Sequence, residues 1–264
     1  MGILTAVTSN KGGVGKSTAA LGLAAASALR GRRTLLLDLD AGSRCADLYM
    51  GVQDELLYSY RDVTGGLPLD KAVYINKNKA TGGEFLHLLS SPPEGENHAP
   101  GALTAFLAEA KKHYDYIWAD CPPGMFAGFD ELCASAERAL VVCLHTSASI
   151  RTAGRTAALI SQMGVGDIRL LINGFRPNGV TGGPKMGIVD MIESVKVRLA
   201  GVIEQDERIR EMQESGKTVF DAQIKRHTDS LNGILDRFEG ANVNLPPKLA
   251  GVRTGKLHFS GRRQ

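Results

Sequence analysis

Ile3-Leu4-Thr5-Ala6-Val7-Thr8-Ser9-Asn10-Lys11-Gly12-Gly13-Val14-Gly15-Lys16-Ser17-Thr18 opens the chain and decides its architecture. Ile3–Thr8 is short and apolar, the pattern of a buried strand. A glycine-rich turn follows, and residues 16–30 are Ala/Leu-rich and read as a helix. Gly31 stops that helix, with Arg30, Arg32 and Arg33 at its negative dipole end. Residues 34–39 are again apolar and bounded by charge. Strand, turn, helix and strand make a βαβ unit, whose crossover is right-handed. In a turn of this kind consecutive backbone N–H groups face inward and cradle phosphate oxygens. The positive end of the following helix points at the same place. Lys16 is spaced to reach β/γ-phosphates and Ser17 to offer its hydroxyl to Mg²⁺; Gly12, Gly13, Val14, Gly15 and Thr18 complete the nucleotide set. The pattern G-x-x-x-x-G-K-[ST] fails at one position, where Asn10 stands for the first glycine.

Outward from this unit, apolar strands keep alternating with helices. Strands are expected at residues 85–89, 116–119, 139–144, 168–172 and 201–203. Helices are expected at 102–113, 150–163, 189–199, 206–215 and 229–238, the last with Leu231, Ile234, Leu235 and Phe238 on one face. Residues 178–187 read as a surface loop. The alternation implies an α/β fold: a mostly parallel twisted sheet with helices on both faces, of the P-loop NTPase type. Residues 1–240 form one expected domain, and 241–264 a basic tail broken by glycine and proline.

Two strands end in acids. Leu35-Leu36-Leu37-Asp38-Leu39-Asp40 puts two carboxylates on one side of a buried strand, at its carboxyl end, where open α/β sheets bind ligands. Tyr116-Ile117-Trp118-Ala119-Asp120 is an apolar strand closed by an acid, and Asp120 is placed to bind Mg²⁺ through water.

Lys11 is not needed to bind phosphate within its own chain. With it, Lys11-Gly12-Gly13-Val14-Gly15-Lys16-Ser17 resembles the deviant Walker A ATPases of the MinD/ParA group, whose motif is K-G-G-x-G-K-[ST]. The resemblance spans roughly residues 1–235. It implies ATP and Mg²⁺ as cofactors and a homodimer formed on ATP, in which Lys11 contacts the partner's phosphates while Lys16 acts in cis. It also implies that Asp38 supports the metal shell, that Asp40 positions the attacking water, that Cys121-Pro122-Pro123-Gly124 is a switch turn, and that Asn173 lies on the base. Asp40-x-Gly42-x-Arg44-x-x-Asp47-x-x-x-Gly51 is similar to the MinD branch, which implies regulation of septum placement with a division inhibitor and a topological factor as partners. The alternative is a ParA-type ATPase positioning flagella, pili or DNA. Three departures stand out: Cys45 for asparagine, Glu204 for proline, and Thr152 where the branch often has aspartate.

Composition bounds the rest. The 264 residues are 43% hydrophobic and 22% charged, which excludes disorder, collagen and coiled coil for the whole chain. Cys45, Cys121, Cys133 and Cys143 form no C-x-x-C pair, so a local zinc or iron–sulfur motif is absent. The N-terminus lacks a signal-peptide pattern and no apolar run is long enough to span a bilayer, so a cytoplasmic location is expected. Net charge is +3, of which the last twenty residues contribute +5 through Lys248, Arg253, Lys256, Arg262 and Arg263. The body is therefore slightly acidic, and its charge does not indicate a DNA-binding surface. The tail, with Leu249, Val252, Leu257 and Phe259 between its basic residues, is a candidate for peripheral contact with anionic membrane. Gly251 and Gly255 interrupt any helix there.

Overall fold

The computed structural model describes residues 1–92, 99–181, 185–246 and 249. Its strands are β1 Ile3–Thr8, β2 Thr34–Asp38, β3 Tyr74–Ile75, β4 Leu86–Leu89, β5 Tyr116–Asp120, β6 Arg138–Leu144, β7 Asp167–Phe175 and β8 Arg198–Glu204. They form one sheet in the order β3-β4-β2-β5-β1-β6-β7-β8, parallel except at β3, which pairs antiparallel with β4. The helices are α1 Lys16–Leu29, α2 Cys45–Met50, α3 Tyr60–Thr64, α4 Leu69–Ala72, α5 Ala102–His113, α6 Phe129–Ser135, α7 Ser147–Gln162, α8 Asn178–Thr181, α9 Ile188–Val195, α10 Arg208–Glu214 and α11 Lys225–Phe238.

Strand alternation sorts the core into layers. Leu36, Leu88 and Trp118 face α1 and α11, where they meet Ala24, Leu231 and Phe238. Leu35, Leu37, Ile117 and Leu4 point the other way, against Leu103 and Leu107 of α5. Beyond β1, Val141 and Ile172 pack under Ile150 of α7 and Met191 of α9. Trp118 is fully buried, and its indole N–H is satisfied by the Ser27 hydroxyl at 3.1 Å. The expected mostly parallel sheet with two covered faces is the observed one.

Several boundaries differ from the sequence expectation. The helix expected over 189–199 stops at Val195 because Lys196 turns left-handed (φ 63°), and Arg198 and Leu199 belong to β8, in register with Arg169 and Leu170. Phe85 closes a single 3₁₀ turn rather than opening β4. α7 begins at Ser147, three residues early, because the Thr146 side chain accepts from Ser149 N. α11 begins at Lys225. The loop expected over 178–187 contains α8, and residues 182–184 lie outside the described residues. Among the described residues no helix is long and apolar enough to cross a membrane. Of the tail, Leu245, Pro246 and Leu249 are described. Leu249 is 1% exposed and packs in the α7/α9 layer, so it is core and not part of a free apolar face. Residues 247–248 and 250–264 lie outside the described residues, and the tail's remaining apolar and basic residues with them.

Candidate nucleotide site

The chain runs from β1 toward β2, β4 and β3 on one side, returns through β5, then crosses β1 to build β6, β7 and β8 on the other side. A crevice at the carboxyl ends of the strands is expected where the direction reverses. The loop 9–15 sits there, between Asp120 and the start of α1.

Gly15 has φ 89°, a conformation costly for any other residue, and it turns the chain directly into α1. A Cβ at Gly15 would lie 2.3 Å from Asn173 Nδ2, so the loop needs this glycine for space as well as for backbone freedom. Asn173, near the end of β7, donates from Nδ2 to the Val14 carbonyl at 2.8 Å. It braces the loop from the side while also lining the cleft beyond it. Lys16, the first residue of α1, is 6% exposed, whereas Lys11 and its neighbours 10–13 stand in solvent. The two lysines thus occupy different environments: one enclosed in its own site, the other offered outward.

Parallel pairing sets Asp38 directly beside Asp120, and alternation turns both toward the α1 face. Asp38 is fully buried. Its Oδ1 accepts from Asp40 N at 2.9 Å and its Oδ2 from Ala46 N at 3.3 Å. Burial nevertheless pushes its carboxyl up to about 7, with the Asp40 and Asp47 charges adding to the push. Asp120 is 1% exposed and both its oxygens lack a hydrogen-bond partner. Burial and the Asp38 charge drive its carboxyl well above the usual range. The Ser17 hydroxyl, close by without closing a hydrogen bond, and the Lys16 ammonium pull the other way. Asp40 lies beyond the end of β2, so a turn places it and not strand alternation: its Oδ1 accepts from Ser43 N at 3.1 Å. Two orphaned, buried carboxylate oxygens beside a serine hydroxyl fit a hydrated divalent cation. Among the described residues no three His, Cys, Asp or Glu side chains make a metal cage. The remaining ligands of such a cation would come from Ser17, water and phosphate.

The stretch 44–51 becomes a short strap over these acids. Arg44, left-handed at φ 41°, pairs with Asp47 Oδ2 at 3.0 Å and donates to Ser90 Oγ at 3.2 Å. Gly51, at φ 68°, closes α2. The spaced Arg44, Asp47 and Gly51 are therefore a device for folding this strap back onto Asp38. The Cys45 thiol donates to Ser43 O at 3.5 Å, and burial beside three carboxylates raises it. The turn at residues 121–124 is held to the loop by Gly124 N donating to Ser9 O at 3.1 Å.

From Gly13 and Gly15 a cleft of about 420 Å³ opens past Asn173 to residues 204–207 and to Arg210, Gln213 and His227. Sequence reasoning missed Tyr49, Arg210, Gln213 and His227. They lie on elements that meet the loop only through tertiary packing, and no local spacing marks them. Glu204 ends β8 and is paired with Arg226 at 3.4 Å. A larger open groove of about 1190 Å³ along α7 and α9 carries exposed Arg151, Arg155, Lys196 and Arg198 and lies apart from the loop.

Residues 5–219 match the family model described as the CobQ/CobB/MinD/ParA nucleotide binding domain. The septum site-determining protein MinD of Synechocystis sp. is 30% identical over 261 residues, 96% of each chain. The protein of that name from Thermotoga maritima is 30% identical over 97% of this chain and 95% of its own. Among solved structures, the MinC:MinD cell division protein complex of Aquifex aeolicus superposes with a TM-score of 0.84 at 26% identity, covering 92% of this chain and 98% of that one. MinD of Pyrococcus horikoshii complexed with Mg-ADP shares the fold, with a TM-score of 0.77 at 23% identity, 92% of this chain and all of that one. With the match running from β1 through the phosphate loop and both acid-tipped strands, the chain belongs to the CobQ/CobB/MinD/ParA family of nucleotide-binding proteins, on its MinD side.

Proposed function

We propose that the chain is an Mg·ATP-dependent ATPase that dimerises on ATP and separates on hydrolysis, acting as a MinD-type switch in placing the division septum. The observation that carries this reading is the pairing of an enclosed Lys16 with an outward Lys11 on one phosphate loop, beside the unpartnered carboxylate of Asp120. Phosphoryl transfer needs mainly positioning and charge neutralisation. In this reading Lys16 neutralises the phosphates of its own site, and the loop N–H groups from Gly12 to Thr18 hold them. Ser17, Asp38 and Asp120 would hold Mg²⁺, directly or through water, and the ion would supply charge neutralisation at the phosphates. Asp40 orients the attacking water, Asn173 meets the base, and Lys11 completes the partner's site. The likeness to a chain solved with MinC supports a division inhibitor as partner, and a topological factor would trigger hydrolysis.

Light scattering with Mg·ATP tests the switch. Wild type should double in mass, Lys11→Ala should stay monomeric while still binding ATP, and Asp40→Ala should accumulate as a locked dimer. A wild type that remains monomeric with ATP overturns the reading. A second reading, a ParA-type positioning ATPase on DNA, is favoured by one observation: Arg151, Arg155, Lys196 and Arg198 line a single open groove. DNA binding that falls steeply with salt would select it.

A further inference from the structure

Gln213 lies near the end of α10, 195 residues from the phosphate loop in sequence, and its Nε2 donates to Thr18 Oγ1 at 2.6 Å. Both side chains line the nucleotide cleft. A hydroxyl carries one proton and two lone pairs. With a lone pair engaged by Gln213, the Thr18 proton cannot point at α10. A helical threonine ordinarily gives its proton to the carbonyl four residues back, which here is Val14 O. That carbonyl already accepts from Asn173 Nδ2 at 2.8 Å. Val14 O keeps a second lone pair, but Thr18 forms no bond to it, unlike Thr152 and Thr156, which bond back to Ala148 O and Thr152 O; with a donor approaching from α10, the Thr18 proton is left to point into the cleft.

We propose that Gln213 is a positioning residue: it holds the Thr18 hydroxyl as a donor aimed at a phosphate oxygen of the nucleotide. The assignment rests on the reading of loop 9–15 as an ATP site. The same contact ties α10 to the phosphate end of the cleft. Residues 204–207, just ahead of α10, line its other end. The segment 204–214 thereby lines both ends of the cleft, and Gln213 is its hold on the phosphate side.

A double-mutant cycle between Gln213→Ala and Thr18→Val tests this, with ATP and inorganic tripolyphosphate as ligands for the full chain. One hydrogen bond is at stake, so Gln213→Ala should weaken both ligands about three- to tenfold when Thr18 is present. In the Thr18→Val background the same change should cost under about 1.5-fold. Gln213→Glu should bind both ligands more weakly than Gln213→Ala, because a carboxylate takes the Thr18 proton for itself. Urea midpoints near wild type for the single variants establish that the fold is kept. If the losses from Gln213→Ala and Thr18→Val simply multiply, or if Gln213→Ala binds like wild type, the assignment is overturned while the ATP site stands. A wild type that binds neither ligand overturns the site and this assignment with it.

Discussion

Asp120 is the residue at which function and stability oppose each other most directly. Its carboxylate has no hydrogen bond to lose, and burial makes its charge costly. A raised folded-state pKa means that its contribution to stability is present below the unfolded value of 3.8 and is lost as pH rises toward the folded one. At pH 7.5, in the absence of nucleotide and metal, Asp120→Asn should therefore raise the melting temperature by about 2 °C or more. The same variant should lose most of the Mg²⁺-dependent part of ATP affinity. Melting curves at pH 5 and 7.5, with the gain larger at pH 7.5, check the sign; an equal or negative shift at pH 7.5 would count against it. At this scale much of the site was legible. Lys11, Lys16, Ser17, Asp38 and Asp120 lie on two strands, a loop and the start of α1, whose local pattern is written in consecutive residues. Asp40 was read as a strand residue and is a turn residue. Gln213 and Tyr49 were invisible, because an exposed-looking glutamine and a tyrosine carry no local mark of what they meet across the fold.

Among the elements, long and strongly periodic segments such as α1 and α5 were readable to within a residue. The short ones, α2, α3, α4, α6 and β3, were not, since two to seven residues hold too little periodicity to stand out. The end of α9 was misread for a related reason: its stop is a left-handed lysine, not a glycine. The junction after β6 shows what an element end can do once tertiary contacts are included. His145 stacks on Phe175 with ring centroids 4.3 Å apart, gives its Nε2 proton to Met186 O at 2.8 Å, and accepts from Arg176 N at Nδ1, 3.2 Å away. These bonds require the neutral ring. Burial, with the Lys185 charge as a lesser cause, lowers its pKa from 6.5. The clamp therefore contributes fully above 6.5 and is lost as pH falls through the folded value. Hydrogen exchange at the Arg176 amide, corrected for its intrinsic rate, should lose protection between pH 7.5 and 5. His145→Phe keeps the stack but neither hydrogen bond, and should leave that amide poorly protected at both pH values. Unchanged protection in the variant would remove His145 as the clamp.

For the whole molecule, the question is how two weak features add. Five basic side chains in residues 245–264, each contributing about 1 kcal/mol near an anionic surface, give at most about 5 kcal/mol before ordering costs and screening. With Leu249 buried in the α7/α9 layer, one apolar side chain is withdrawn from any such contact. One copy is then a poor anchor. The proposed ATP dimer would present two tails to one surface, and effective concentration would raise avidity by about 10²–10⁴. Sedimentation with vesicles containing phosphatidylserine should show binding that requires ATP, weakens with salt and disappears on removing residues 250–264. Equal binding by the truncated protein would place the contact elsewhere.

The two buried carboxylates beneath the phosphate loop, one of them without a hydrogen bond, have a consequence for the lifetime of the protein. A chain that carries two raised, buried acids waits for its cation in a less stable form. A ligand that binds only the folded chain adds about 2.7 kcal/mol at a hundredfold excess over its Kd. If the site binds Mg·ATP as proposed, nucleotide supply would act as a survival signal: with ample ATP the chains would stay folded and beyond the reach of proteases, and without it idle copies would open more often and be cleared. Turnover of the protein would then track the energy state of the cell through the same acids proposed to hold the metal.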